Sequence, residues 1–334
     1  MYYESHLTPS IRGIGLYMQR RLTSTSRPTH FYSSSGGNAG LACAHASRTL
    51  SHPCTVVVPL TTSTVMIAKI RAAGATSVIQ EGRSWQEADT YLRETVMPEA
   101  EKRGEDVVYV PPFDNEVIWE GHAGMVDEIK EDLGKLVLEE REGSPEPDVI
   151  ICSVGGGGLL SGVVMGLEKH GWGKVPVLAL ETRGCDSLSQ ALRKGELKEP
   201  TLEAITSRAN CLGARTVCRR AFEIGQRKNV RSVVLSDAEA AMGCWRLADD
   251  ERLMVEMACG VNVALCYDGR LEKYLGRPLK KDSKVAIIVC GGSNITIEEL
   301  ASYRAEYGDI EKSLPTHLSV PSAQSAPNGS LESQ

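Results

Sequence analysis

Ten cysteines contain no C-x-x-C pair, and seven histidines form no H-x-x-H or H-E-x-x-H set. Without such spacing neither a zinc site nor a disulfide scaffold is supported. Cys54 before VVVP, Cys152 in VIICSV and Cys290 in VAIIVC read instead as reduced core residues. Basic charge is not in excess either: 37 Lys and Arg stand against 43 Asp and Glu, a net charge of -6. That balance argues against nucleic acid or an anionic membrane as the partner and favours a small molecule. No window approaches the length of a membrane span, and MYYESHLTPS has neither a basic start nor an apolar stretch, so a cytoplasmic location is expected. Arg12, Arg20, Arg21 and Arg27 among Ser and Thr imitate a transit peptide. Gly13, Gly15 and Pro28 interrupt such a helix, so a simple surface helix is expected.

What is present is ordinary for a soluble globular protein: 42% hydrophobic residues, 24% charged, and length enough for two α/β domains. From residue 29 short β-branched runs alternate with helical segments. HFYSS, CTVVVP, TSVIQEG and DVVYVPP are separated by GGNAGLACAHASRTL, TTSTVMIAKIRAAGA and SWQEADTYLRETVMPEAEKRG. A long amphipathic helix then runs to about Glu142 and is broken by REGSPEPD. The alternation resumes with DVIICSV, VPVLALE, RSVVLS and KVAIIVC, and Ser236 with Glu239 forms a capping box opening a helix through Leu247. Such a rhythm gives parallel strands with crossover helices. The tail from Leu314 is rich in Ser and Pro and reads as disordered.

Three glycine-rich turns fall at the carboxyl ends of strands, where open α/β sheets bind ligands. They are SSSGGNAG at 33–40, SVGGGGLL at 153–160 and VCGGSN at 289–294. Four bare residues in a row suit close approach of a phosphate, because N–H groups at a helix start are free donors. A dinucleotide is the first candidate, with Glu181 at the end of the next strand as the ribose acid. However, G-x-G-x-x-G counted from Gly155 puts Leu160 at the third glycine, and counted from Gly156 puts Ser161 there. A P-loop fails for want of G-K-S or G-K-T.

SSSGGNAGLA, VPPFDNEVIWEGHAG, SVGGGGLLSGV with GWGKVPVLALET, and VCGGSNI resemble the L-serine/L-threonine dehydratases, fold-type II pyridoxal-phosphate enzymes, over roughly residues 11–307. The resemblance implies two open twisted parallel-sheet α/β domains with the cofactor cleft between them. Boundaries would be a truncated remnant at 1–10, a small domain at 11–112, a large phosphate-binding domain at 113–313 and the tail at 314–334. It implies that Gly155, Gly156, Gly157, Gly158 and Leu159 hold the phosphate, and that Asn38 bonds the ring oxygen, although Asn38 could also be a helix N-cap. Ser35, Gly36, Gly37 and Ala39 would grip the substrate carboxylate, and Cys290 would face the pyridine nitrogen. Glu181, Cys185 and Ser187 fall where some relatives bind a monovalent or divalent cation, or simply open a helix. A homodimer acting on serine or threonine is implied.

One element of the pattern is missing. The family's Schiff-base lysine lies in a stretch resembling P-S-G-S-F-K-x-R-G-I-G, whereas here Pro9 and Ser10 run straight into Ile11, Arg12 and Gly13, and the first lysine is Lys69. An always-protonated arginine cannot form the Schiff base. Three explanations are open: a dehydratase that lost a few residues at an exon join and is nearly inactive as given, a non-catalytic protein that binds the cofactor or an amino acid, or a nicotinamide-dependent oxidoreductase.

Overall fold

The computed structural model describes residues 9–22, 29–140 and 144–313. The expected disordered tail and most of the expected remnant lie outside these residues. Two four-stranded parallel sheets form the frame. The first holds β1 (Thr29–Ser33), β2 (Cys54–Val58), β3 (Ser77–Gln80) and β4 (Asp106–Tyr109) in the order β3-β2-β1-β4. The second holds β5 (Val149–Ser153), β6 (Val177–Thr182), β7 (Val230–Leu235) and β8 (Val285–Ile287) in the order β7-β6-β5-β8.

Strands β2, β5 and β6 are buried along their whole length. Runs such as CTVVV and VIICS are apolar without alternation because helices cover both faces of a parallel sheet. In each sheet the chain moves outward from one inner strand, β1 or β5, and then returns to that strand's other side. Those two strands are the switch points of the order, and the crevice beyond their carboxyl ends is where such sheets leave room for a ligand.

The expected elements appear with small shifts. Ser236 and Glu239 form the full capping box, and the helix they open runs to Glu251 rather than Leu247. All ten cysteines are free thiols and seven are buried.

The amino-terminal segment needs a correction. Gly13 and Gly15 do not interrupt it, since Ser10–Arg21 is one continuous helix with Gly13, Ile14, Tyr17 and Met18 buried. It is therefore more than a surface helix. A Cβ on Gly13 would lie 2.6 Å from the Ile118 carbonyl, and one on Gly121 would lie 2.6 Å from Gly13 Cα. The glycines let this helix press against the 25-residue helix Glu116–Glu140, and the packing offsets their roughly 1 kcal/mol propensity cost.

His122 is buried at this crossing, against Gly13 on one side and against Gly162 on the other. Its Nδ1 has no partner. Burial first, and then the charge of Arg12, pushes its pKa down from 6.5 to about 4. The unfolded chain takes up this proton near pH 6.5 and the folded chain resists until about pH 4, so stability is complete above that window and falls as the pH drops through it. The loss should approach about 3 kcal/mol at the lower end. Urea denaturation between pH 7 and 4 should show this slope in the wild type and a flatter one in His122→Gln; equal slopes would exclude His122 as the source.

Candidate active site

The turns after β1, β5 and β8 come together between the two sheets. Asn38 is the first residue of the helix Asn38–Thr49, and its side chain makes no capping bond. It crosses the cleft instead: Nδ2 donates to Glu256 Oε1 and, at 3.4 Å, to Cys211 Sγ. Its Oδ1 accepts from Ser293 N–H at 3.3 Å and Ser293 Oγ at 3.2 Å. The N-cap alternative for Asn38 is therefore set aside.

Glu256 is the hub of the cluster. It is only 6% exposed, Cys211 Sγ donates to its Oε2 at 3.0 Å, and its main-chain N–H donates to the Gly291 carbonyl at 3.0 Å. Burial raises its pKa, while the bonds from Cys211 and Asn38 and the charge of Lys69 pull the other way. Lys69 reaches in from the helix Thr64–Ala73, its Nζ donating to the Ser293 carbonyl.

Of the expected carboxylate-gripping residues, Ser35 accepts from Gly37 N–H through Oγ at 3.3 Å. Gly36 lies so close to Thr62 that a Cβ would be 2.4 Å from its hydroxyl. The N–H groups of Gly36 and Ala39 have no acceptor among the described residues, while the N–H of Asn38 faces the Cys211 thiol.

The four-glycine turn has two reasons to be bare. The first is packing: a Cβ on Gly156 would sit 2.3 to 2.5 Å from the Phe113 ring, and one on Gly157, where φ is +92°, would sit 2.3 Å from Ala221 Cβ. Trp119 holds Phe113 in place by donating to its carbonyl at 2.9 Å. The second reason is open valence. No N–H from Gly155 to Leu159 has an acceptor among the described residues, although Gly157 and Gly158 are buried. These five donors lead into the helix Gly158–Lys169. Buried main-chain donors without partners are rare, and such a row at a helix start suits an anion.

Cys290 is half-buried, and its N–H donates to Cys259 Sγ at 3.1 Å. The hydrogen bond to Cys259 and burial push its thiol pKa up, so it is neutral at neutral pH.

Glu181 is fully buried. Its two oxygens accept from Leu188 N–H and Ser189 N–H, each at 2.8 Å, at the start of the helix Ser187–Lys194. Burial pushes its pKa up to about 8. Cys185 Sγ donates to the Ala209 carbonyl at 3.7 Å, and Ser187 Oγ is buried without a partner. The three expected cation residues thus meet around a helix start, with the carboxylate engaged as its cap. Among the described residues no three His, Cys, Asp or Glu side chains form a metal-holding group. A ribose-binding Glu181 is overturned, because the acid is not open to a ligand.

A family model described as pyridoxal-phosphate dependent enzyme matches residues 10–291. An L-serine dehydratase of Saccharomyces cerevisiae is 46% identical over 294 residues, covering 86% of this chain and 85% of that protein. The chain belongs to the L-serine dehydratase family of pyridoxal-phosphate-dependent enzymes. A catabolic L-serine/threonine dehydratase of the same yeast is 41% identical, covering 82% of this chain and 75% of the relative. The crystal structure of a fungal L-serine ammonia-lyase from Rhizomucor miehei superimposes with a TM-score of 0.77 at 31% identity, covering 90% of this chain and 89% of that one. The two parallel sheets are the fold-type II arrangement of these pyridoxal-phosphate enzymes.

Sequence reasoning missed Glu256, Cys211 and Phe113 as parts of this cleft. Phe113 was within reach, since it lies inside the VPPFDNEVIWEGHAG stretch.

Gly156→Ala should cost roughly 1–3 kcal/mol by forcing the Phe113 ring aside. The double variant Phe113→Ala with Gly156→Ala should be more stable than the sum of the two single changes; strict additivity in denaturant titrations would show that the ring is not the obstacle.

Proposed function

We propose that the cleft binds pyridoxal phosphate and an amino acid, as an L-serine/L-threonine dehydratase does, and that turnover by this chain is held back by the missing lysine. The observation that carries the reading is the row of five unpartnered N–H groups from Gly155 to Leu159, which fits a single phosphate. Asn38 would turn its Nδ2 from Glu256 toward the ring oxygen, and the free N–H groups of Gly36 and Ala39, with Ser35 and Gly37 beside them, would hold the substrate carboxylate. When bound, the cofactor withdraws electrons from the substrate's α-carbon and so lets the β-hydroxyl leave. A neutral Cys290, if it faces the ring nitrogen as the family resemblance implies, would leave that nitrogen unprotonated, which would suit a reaction in which the leaving group drains charge early. The names of the relatives support serine, with threonine alongside it in one of them.

Loss of the lysine removes a general base whose contribution is on the order of a hundred- to ten-thousandfold in rate. A homodimer and a cytoplasmic setting belong to the same proposal; the family resemblance argues for the first, and a set of cysteines without disulfide spacing for the second. The non-catalytic reading remains the second one, favoured by the same gap between Ser10 and Ile11.

Turnover of serine to pyruvate by the purified chain with added cofactor, measured beside a variant carrying Gly-Ser-Phe-Lys inserted between Ser10 and Ile11, tests this. The insertion should raise the rate by at least about a hundredfold. Equal rates would remove the gap as the cause, and an inserted variant that holds the cofactor yet stays inert would favour the non-catalytic reading.

A further inference from the structure

Lys69 is the lysine that reaches the cleft. Its Nζ bonds the Ser293 carbonyl, and the N–H and Oγ of the same Ser293 bond Asn38 Oδ1 at 3.3 and 3.2 Å. The amine is therefore one residue removed from the side chain expected to hold the cofactor ring. Its charge also acts on Glu256, which Asn38 and Cys211 bond directly. Among the described residues no other lysine bonds Asn38, Cys211, Glu256, Cys290 or Ser293.

The setting suits a movable amine. Lys69 stands on a firmly capped helix, Ser63 Oγ accepting from Met66 N–H at 3.2 Å, while Met66, Ile67 and Ile70 anchor that helix in the core. The backbone is fixed and four side-chain carbons are free to swing. Its single hydrogen bond, to a half-buried main-chain carbonyl, is one that an incoming group can replace.

We propose that Lys69 is this chain's covalent anchor for the cofactor, taking the aldehyde of pyridoxal phosphate in place of the lysine absent between Ser10 and Ile11. The inference rests on the cofactor reading above. The ammonium first yields a proton to solvent; Nζ then attacks the aldehyde carbon, a C=N bond forms as the C=O bond breaks, and the oxygen departs as water. The amine approaches from the Ser293 side of the cleft, not from the helix Ser10–Arg21. Covalent capture therefore does not by itself restore a base at the position where the family lysine works, and slow turnover is consistent with it.

The test is incubation of the full chain with pyridoxal phosphate, reduction with borohydride and peptide mapping by mass spectrometry, beside Lys69→Met and Lys69→Arg. Retained cofactor is measured separately by equilibrium dialysis without reduction, and folding of the variants by circular dichroism. The expected result is one dominant pyridoxyl adduct on Lys69 in the wild type, lost in both variants, with cofactor still retained by both through the glycine turn. Arginine keeps the charge but cannot form the bond, so survival of the imine absorption band in Lys69→Arg would overturn the proposal. Cofactor retained with no adduct, or with adducts spread over exposed lysines, would overturn it as well while leaving the cofactor reading in place. No retention by the wild type would overturn both.

Discussion

A buried carboxylate has to find hydrogen-bond donors inside the protein, and Glu256 draws its own from different parts of the cleft. Asn38 donates from the turn after β1, and Cys211 donates from the loop between β6 and β7. Ser293, beyond β8, closes the ring by donating to Asn38. The turns of the two sheets are thus tied together at the cleft by a few polar contacts. Gly292, at a φ of +101°, lies where a Cβ would fall 1.8 Å from Glu256 Oε1, so the VCGGSN turn has its shape partly because the carboxylate occupies that space.

The site's electrostatics follow from the same arrangement. Donors outnumber charged groups: main-chain N–H groups line the turn from Gly155 to Leu159, and an amide and one thiol bond the Glu256 carboxylate. No arginine bonds the residues of the cleft cluster among those described. Under the proposed function an anion at the glycine turn would be received by main-chain dipoles.

Much of the frame was legible in the sequence. CTVVV, VIICS and VLALET are continuous apolar runs because both faces of their strands are covered, and a pattern made by burial on two sides survives any detail of packing. The helix Ser10–Arg21 was not, since glycine's cost is a local property whereas the close approach to Gly121 that offsets it is a tertiary one. The glycine turns could be read as ligand sites from their position after strands, but half of their meaning was hidden: Phe113 and Ala221 need the bare backbone as much as any phosphate would. Glu256, Cys211 and Lys69 come from three segments with no shared motif and meet only through the fold, so no spacing rule could have joined them. Glu181 shows the opposite error, an acid at the end of a strand that reads as a ligand and instead secures a helix start.

The strand orders β3-β2-β1-β4 and β7-β6-β5-β8 are one order written twice, although no sequence repeat accompanies it. Each half therefore brings its own crevice to the cleft, one at the end of β1 and one at the end of β5. On the proposed function the two crevices would carry separate duties on separate scaffolds, a grip for the carboxylate on one and a cup for the phosphate on the other. On that reading a change in the 33–40 turn that spares Asn38 would act first on the amino acid, and a drift in the 153–160 turn would act first on the cofactor. Asn38, which bonds across the cleft to Glu256 and Ser293, is where the two duties would meet.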